Sequence, residues 1–181
     1  MAQEWYLKNI NNSLLTEKSI LSCKEILNSK LPDINESFTP LSIMISSLLS
    51  KPIDSGVVTS SFGKRLDPLS GEEKVHFGLD LSSQEGAPIY AILPGFVEKA
   101  ETSPSFGNII VLDHGNNIKT VYAHCRILDA KNGMQVNRGQ KIAEMGNTGY
   151  YSTGTHLHIE LIIDGQKYDP EPFFGDRFCS A

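Results

Sequence analysis

Glycine is missing from the first 50 residues; all 15 glycines of this 181-residue chain lie between Gly56 and Gly175. The chain therefore has two textures, joined near Lys51-Pro52. No apolar run reaches the ~18 residues that a membrane-spanning helix needs, so no segment is expected to cross a bilayer. Basic clusters are also absent. The formal net charge is −5, and the first 50 residues hold 4 Lys against 5 acids, which is −1 and leaves −4 for the rest. That balance excludes a phosphate-backbone footprint and a basic lipid-facing helix, so nucleic acid is not an expected partner. Only three cysteines occur, Cys23, Cys125 and Cys179, too few and too scattered for a disulfide framework or a CxxC knuckle. Met1-Ala-Gln-Glu-Trp5 has no charged-then-apolar leader pattern, so the chain is either cytoplasmic or supplied without an export segment. With 40% hydrophobic residues the sequence is too apolar for disorder, and its length suits one main domain with extra chain.

Residues 12–50 read as helix. Thr39 before Pro40 is an N-cap with proline at the first helical position, and Leu41, Met44, Ile45 and Leu48 form one apolar stripe. Ser13 to Ser29 repeats the pattern more weakly and stops before Pro32. From Val57 the period changes to two. Val57-Thr59, Pro88-Ala91, Gly95-Val97, Asn108-Leu112 and Thr120-Ala123 are short β-type runs, with turn signals at Gly115-Asn117, Asn132-Gly133 and Asp164-Gly165. The expectation is a short α-helical N-terminal segment over 1–50 and a mainly β domain over 51–181, built on antiparallel sheet.

Five histidines carry the chemistry: His76, His114, His124, His156 and His158. In His156-Leu-His-Ile-Glu-Leu-Ile162 polar and apolar residues alternate, so both imidazoles share one strand face. In Val75-His-Phe-Gly-Leu-Asp-Leu81 the same alternation puts His76 and Asp80 on one face, and Gly78 between them leaves room for a close approach. His76, Asp80 and one member of the HxH pair make the two-nitrogen, one-oxygen set of a catalytic zinc with a fourth position open to water. The remaining histidine and His124, at the end of Val121-Tyr122-Ala123, suit a proton acceptor and an oxyanion stabiliser. Two His and a carboxylate also serve non-haem iron, but that chemistry gains nothing from two further histidines. His114, at the Asp113-His114-Gly115 turn, stands outside this set. Cys125 is expected to point away from the site as packing. The glycine-rich stretch Gly146–Thr155 lacks the lysine and the following helix of a phosphate loop, and reads as a flexible wall beside the metal.

At these residues the sequence resembles the M23 metallopeptidases, the lysostaphin- or LytM-type peptidoglycan endopeptidases. The matching pieces include Thr59-Ser-Ser-Phe-Gly-Lys-Arg65, His76-Phe-Gly-Leu-Asp80, Gly86-Ala-Pro-Ile-Tyr-Ala91, Gly107-Asn-Ile-Ile-Val111, Tyr122-Ala-His124, Gly146-Asn-Thr-Gly149 and Ser152-Thr-Gly-Thr-His-Leu-His-Ile-Glu160. They run in the family's order over roughly residues 55–174, and the first 50 residues lie outside them. The resemblance implies a groove floored by antiparallel sheet, related to barrel-sandwich folds, with one zinc ion held by His76, Asp80 and His158. It implies that His124 and His156 activate water and stabilise the oxyanion, and that the substrate is the peptide part of peptidoglycan. Some members carry a Tyr shortly before the first His. None occurs here between Val57 and Ile89, which leaves Tyr90, Tyr122, Tyr150 and Tyr151 as candidates.

A catalytically silent scaffold or activator of other wall hydrolases is the second reading; such relatives lose metal or base residues, and this chain keeps all five. A biotinyl- or lipoyl-type carrier ranks last, because Asn137-Arg138 stands where the carrier turn needs lysine. Residues 1–50 are expected to pack on the domain or meet a protein partner; an inhibitory role would use Glu25, Asp33, Asn35 or Glu36 as a plug. A peptidoglycan substrate places the working protein in the periplasm or at the cell surface.

Overall fold

Period-two alternation from Val57 onward produces strands, as it should where one face of a sheet is buried. The structure, a computed structural model, describes residues 49–67, 70–174 and 179–180. Of the helical reading over 12–50, residues 12–48, including the candidate plug residues, lie outside the described residues, and Leu49-Ser50 are not helical. In chain order the elements are β1 (Val57–Ser60), β2 (Gly63–Leu66), β3 (Glu73–His76), β4 (Leu79–Ser82), β5 (Pro88–Tyr90), β6 (Gly95–Ser103) and β7 (Gly107–Asp113). There follow β8 (Ile118–Cys125), β9 (Ile127–Leu128), β10 (Gln135–Val136), β11 (Lys141–Glu144), β12 (Leu157–Ile163), β13 (Gln166–Tyr168), the single-turn α1 (Glu171–Phe174) and β14 (Cys179–Ser180).

The main sheet has the order β10-β6-β7-β8-β12-β4-β1-β14, with β13 added to β12. Among the described residues its pairings are antiparallel except β1 with β14. A three-stranded sheet β5-β11-β9 and a two-stranded ribbon β2-β3 complete the architecture. The mainly β, antiparallel reading is thus what the chain adopts. Asp164 and Gly165 take positive φ of 50° and 79° and join Ile163 to Gln166, the two-residue hairpin their sequence signals.

One local expectation is corrected. Val75 to Leu81 is not a single strand: β3 ends at His76 in the ribbon and β4 starts at Leu79 in the main sheet. The chain bends at Phe77-Gly78, and this bend, rather than strand alternation, brings His76 over Asp80.

The core lies on one side of the main sheet. Leu79 and Leu81 of β4 stand opposite Ile159 and Leu157 of β12, and Tyr122 of β8 stands opposite Ile159; all five are fully buried. Each such aliphatic side chain stabilises the fold by roughly 1.5–3 kcal/mol. The opposite face of the same strands carries Asp80, His158 and Ala123 in register. Ile53 is also fully buried in this core, and the Ser50 N–H donates to the Ile92 carbonyl, so the segment before β1 is already fastened to the domain.

His114 belongs to the core, apart from the other four histidines. Its Nδ1–H donates to the Pro94 carbonyl at 2.8 Å, and its Nε2 accepts from the Thr120 hydroxyl at 2.7 Å, whose oxygen lies 3.2 Å from the Tyr122 hydroxyl. Burial pushes its pKa down from 6.5 to about 4, with the Pro94 bond and Asp113 opposing. An unfolded His114 takes a proton near its ordinary value and the folded one does not, so stability falls as pH drops from 6.5 towards 4 and levels below that. At ~1.4 kcal/mol per unit the loss is about 3 kcal/mol. Urea unfolding at pH 7 and pH 4.5 checks this: His114→Gln should be less stable than wild type at pH 7, and the gap should narrow at pH 4.5. A gap that stays constant with pH refutes it.

Candidate metal centre

Three electron-pair donors converge at the edge where the ribbon meets the main sheet. His76 Nε2 lies 3.0 Å from His158 Nδ1 and 3.2 Å from Asp80 Oδ1, and His158 Nδ1 lies 2.8 Å from Asp80 Oδ1. These are the sides of a triangle of the size that a tetrahedral ion requires, since bonds of ~2.0–2.1 Å subtend edges of ~3.3 Å. All three residues are buried. They form a group able to hold a metal ion among the described residues.

The outer bonds decide which nitrogens face the triangle. His76 Nδ1–H donates to the Ser61 carbonyl at 2.9 Å, leaving Nε2 with its lone pair. His158 is turned the other way: Nε2 points to Glu160 Oε1 at 3.3 Å, leaving Nδ1 for the triangle. Glu160 is 4% exposed and accepts from Lys167 Nζ at 2.7 Å. Two imidazole nitrogens and a carboxylate oxygen thus face one another at one buried point, where a cation can take the place of the shared protons. That donor set suits a metal ion. Asp80 supplies the negative charge: burial opposes its ionisation, but hydrogen bonds and charge from His158 and His76 outweigh this and hold the carboxyl well below the usual range. Glu160 is likewise held down against burial by His158 and Lys167.

His156 and His124 adjoin the triangle as a second pair, their rings 4.7 Å apart. His156 sits in an isolated bridge with Gly146 just before β12, donates Nδ1–H to the Gly154 carbonyl at 2.8 Å, and brings Nε2 to 3.8 Å from Asp80 Oδ1. His124 donates Nδ1–H to the Thr148 carbonyl at 2.8 Å. Burial pushes its pKa down to about 4, opposed by the Thr148 bond and assisted by the neighbouring histidines, so it is neutral near pH 7 with Nε2 free to accept a proton.

A backbone irregularity puts His124 here. By strict alternation it would share the core face with Tyr122, because Tyr122 opposes Ile159 while Ala123 opposes His158. The β7–β8 register slips between Asn108 and Ile110, where β8 has one extra residue, and His124 takes φ of 63°. That bulge re-aims the imidazole towards His158 and returns Cys125 to the core, where it is fully buried with its thiol pushed up to about 12. A left-handed non-glycine residue costs ~1–3 kcal/mol and is concentrated at functional sites.

All five residues singled out in the sequence are therefore together, and His114 is elsewhere. Of the Gly146–Thr155 stretch only Tyr151 lines the cleft, while Thr148 is bonded behind it: its hydroxyl donates to the Cys125 carbonyl at 2.8 Å and accepts from the Asn108 N–H at 2.9 Å, and its carbonyl fixes His124. Of the four tyrosines, Tyr151 lines the cleft, Tyr150 meets it edge-on, Tyr122 is buried with its hydroxyl used by Ile92 N–H, and Tyr90 bonds Asp54. Sequence reasoning missed Glu160 and Arg65, although Glu160 continues the His156, His158 alternation. The cleft, about 380 Å³, is lined also by Phe77, Phe106, Lys74 and Lys167.

Comparison with known proteins agrees with this geometry. The profile of Peptidase family M23 matches residues 74–170. The peptidoglycan DD-endopeptidase ShyC of Vibrio cholerae serotype O1 is 37% identical over 128 residues, which is 70% of this chain and 29% of that protein. ShyA, a peptidoglycan DD-endopeptidase of the same organism, is 39% identical over 64% of this chain and 27% of its own. The chain thus spans less than a third of the length of these relatives. Among solved structures, the catalytic domain of lysostaphin from Staphylococcus simulans superimposes with a TM-score of 0.59 at 30% identity, covering 66% of this chain and 92% of that one. A zinc-containing peptidase from Vibrio cholerae gives 0.58 at 35% identity over 66% of this chain and 39% of its own.

Proposed function

The chain belongs to peptidase family M23, and from that membership and the donor triangle we propose that it is a zinc endopeptidase cutting amide bonds in the peptide stems or cross-links of bacterial peptidoglycan. His76, Asp80 and His158 are its metal ligands, and His124 and His156 its proton-transfer pair. The observation that carries the reading is the buried triangle of 2.8–3.2 Å beside two further imidazoles.

A bound zinc ion supplies Lewis acidity to the scissile carbonyl and acidity to the attacking water. The chain's own residues do the rest. Nε2 of His124 or His156 accepts the water proton; the resulting N–H then donates to the oxyanion and finally protonates the leaving amine. Thr148 and Gly154 hold the two rings by their Nδ1–H groups so that both Nε2 atoms face the substrate. A silent scaffold has no use for this complete set. We place the catalytic domain at 51–181, with 1–50 as a separate helical segment, and the site of action in the periplasm or at the cell surface, where the substrate is.

Incubating the protein with defined muropeptides and weighing the products tests the reading. Zinc-loaded protein should release new amine and carboxyl termini, chelator should stop this, and zinc should restore it. Zinc-loaded protein that leaves every muropeptide intact, or cleavage indifferent to chelator, overturns it.

A further inference from the structure

One wall of the cleft contains a charge arrangement that the metal chemistry does not use. In the β2–β3 ribbon Arg65 lies directly opposite Lys74. Like charges facing across an antiparallel pair are unfavourable, and strands usually avoid them. Here both side chains lie on the face that carries His76 and line the cleft with it. The chain as a whole is acidic, at −5, so this is a local exception.

The partners of the two cations leave their donors partly available. Arg65 Nη2 is 3.8 Å from Asp80 Oδ2, an ion contact too long for a hydrogen bond. Lys74 Nζ is 3.5 Å from Asp67 and its side chain is 48% exposed. Asp80 turns its other oxygen, Oδ1, into the donor triangle. Once that carboxylate shares its charge with a cation, less remains for Arg65. Lys167 is different, since its ammonium is bonded to Glu160 at 2.7 Å and sits 5.1 Å over the Phe77 ring.

We propose that Arg65, assisted by Lys74, binds a free carboxylate on the substrate residue next to the scissile amide. Arg65 stands one carboxylate's width from the triangle, across Asp80, so it meets a group close to the bond being cut. The planar guanidinium fork fits a carboxylate by paired hydrogen bonds, and the ribbon's second cation adds charge without competing for that geometry. This rests on the peptidase reading and sharpens it. A direct cross-link to a diamino acid presents such a carboxylate; a glycine bridge does not. The site therefore selects carboxylate-bearing diamino-acid cross-links over amidated ones and over glycine bridges.

The test compares two synthetic cross-linked peptides that differ only in whether that group is a carboxylate or a carboxamide. Zinc-loaded wild type should favour the carboxylate by roughly 10- to 100-fold in kcat/KM, the worth of a charge-assisted bond. The preference should shrink in high salt. Arg65→Gln should bring the ratio close to one while retaining bound zinc, and Lys74→Gln should lower it a few-fold. If Arg65→Gln slows both peptides equally and leaves the ratio intact, Arg65 serves only to orient Asp80 and the proposal falls. Equal cleavage of both peptides by wild type overturns the carboxylate site alone; cleavage of neither overturns the peptidase reading with it.

Discussion

Replacing His158 with alanine should abolish stoichiometric metal binding and hydrolysis together. His158 provides one corner of the triangle through Nδ1 and joins it to Glu160 through Nε2, so its loss leaves His76 and Asp80 alone. Two donors do not complete a three-ligand site with an open position. The rate should fall by more than the ~10³-fold that a single oxyanion donor supplies. The sheet should survive, because Leu157 and Ile159 remain in the core face. Glu160→Gln, one bond further out, should weaken metal affinity by roughly 10- to 100-fold while leaving the three donor residues in place. Calorimetric zinc titration of both variants, beside circular dichroism, reads the gradation. A His158→Ala protein that binds one zinc with wild-type affinity would remove His158 from the ligand set.

Gly78→Ala should damage the same centre without altering any of the three donor residues. A Cβ built at Gly78 would stand 2.5 Å from His158 Cε1, 2.7 Å from His158 Nε2 and 2.7 Å from the Ile159 carbonyl oxygen. The carbonyl cannot retreat, because β12 is paired on both sides with β4 and β8. The imidazole must move instead, losing its bond to Glu160 and pulling Nδ1 from the triangle. The expected cost is about 1–3 kcal/mol of stability, with a metal affinity reduced in proportion to the displacement of His158. Gly154→Ala is the control: Gly154 also lies near the histidine pair, but a Cβ there meets nothing within 4 Å. Thermal unfolding and zinc titration should therefore separate the two alanines clearly. Wild-type Tm and zinc affinity in Gly78→Ala would show that the backbone there yields more than the packing allows.

These two glycines also show where sequence reading stops. Both adjoin proposed site residues, and the room that Gly78 leaves was legible from its place between His76 and Asp80. What fills that room was not. The occupant is the His158 ring, 80 residues away in the chain, and only the β4–β12 pairing brings it there. His124 is a sharper case. Its residue type and its position at a strand end marked it, yet period-two logic would have buried it beside Tyr122. The β8 bulge lies in its pairing with β7, and the carbonyl that holds the re-aimed ring belongs to Thr148, 24 residues further on. Arg65 and Glu160 escaped notice because an arginine in a short ribbon and a glutamate in a strand are ordinary on a surface. Their meaning comes from Asp80 and His158.

The sequence by itself determined the antiparallel β class and most strand runs from Val57 onward, and it singled out the five residues proposed to carry the chemistry. Alternation and turn preference are local properties of a chain, readable within a few residues. The tertiary structure alone decided which nitrogen of each imidazole turns inward, since that depends on Ser61, Thr148, Gly154 and Glu160 each holding the ring's other nitrogen. It also decided that His76 reaches Asp80 by a bend between two sheets rather than along one strand. Hydrogen-bond partners and bends are set by contacts between segments, and the energy that fixes them exists only once the sheet has formed.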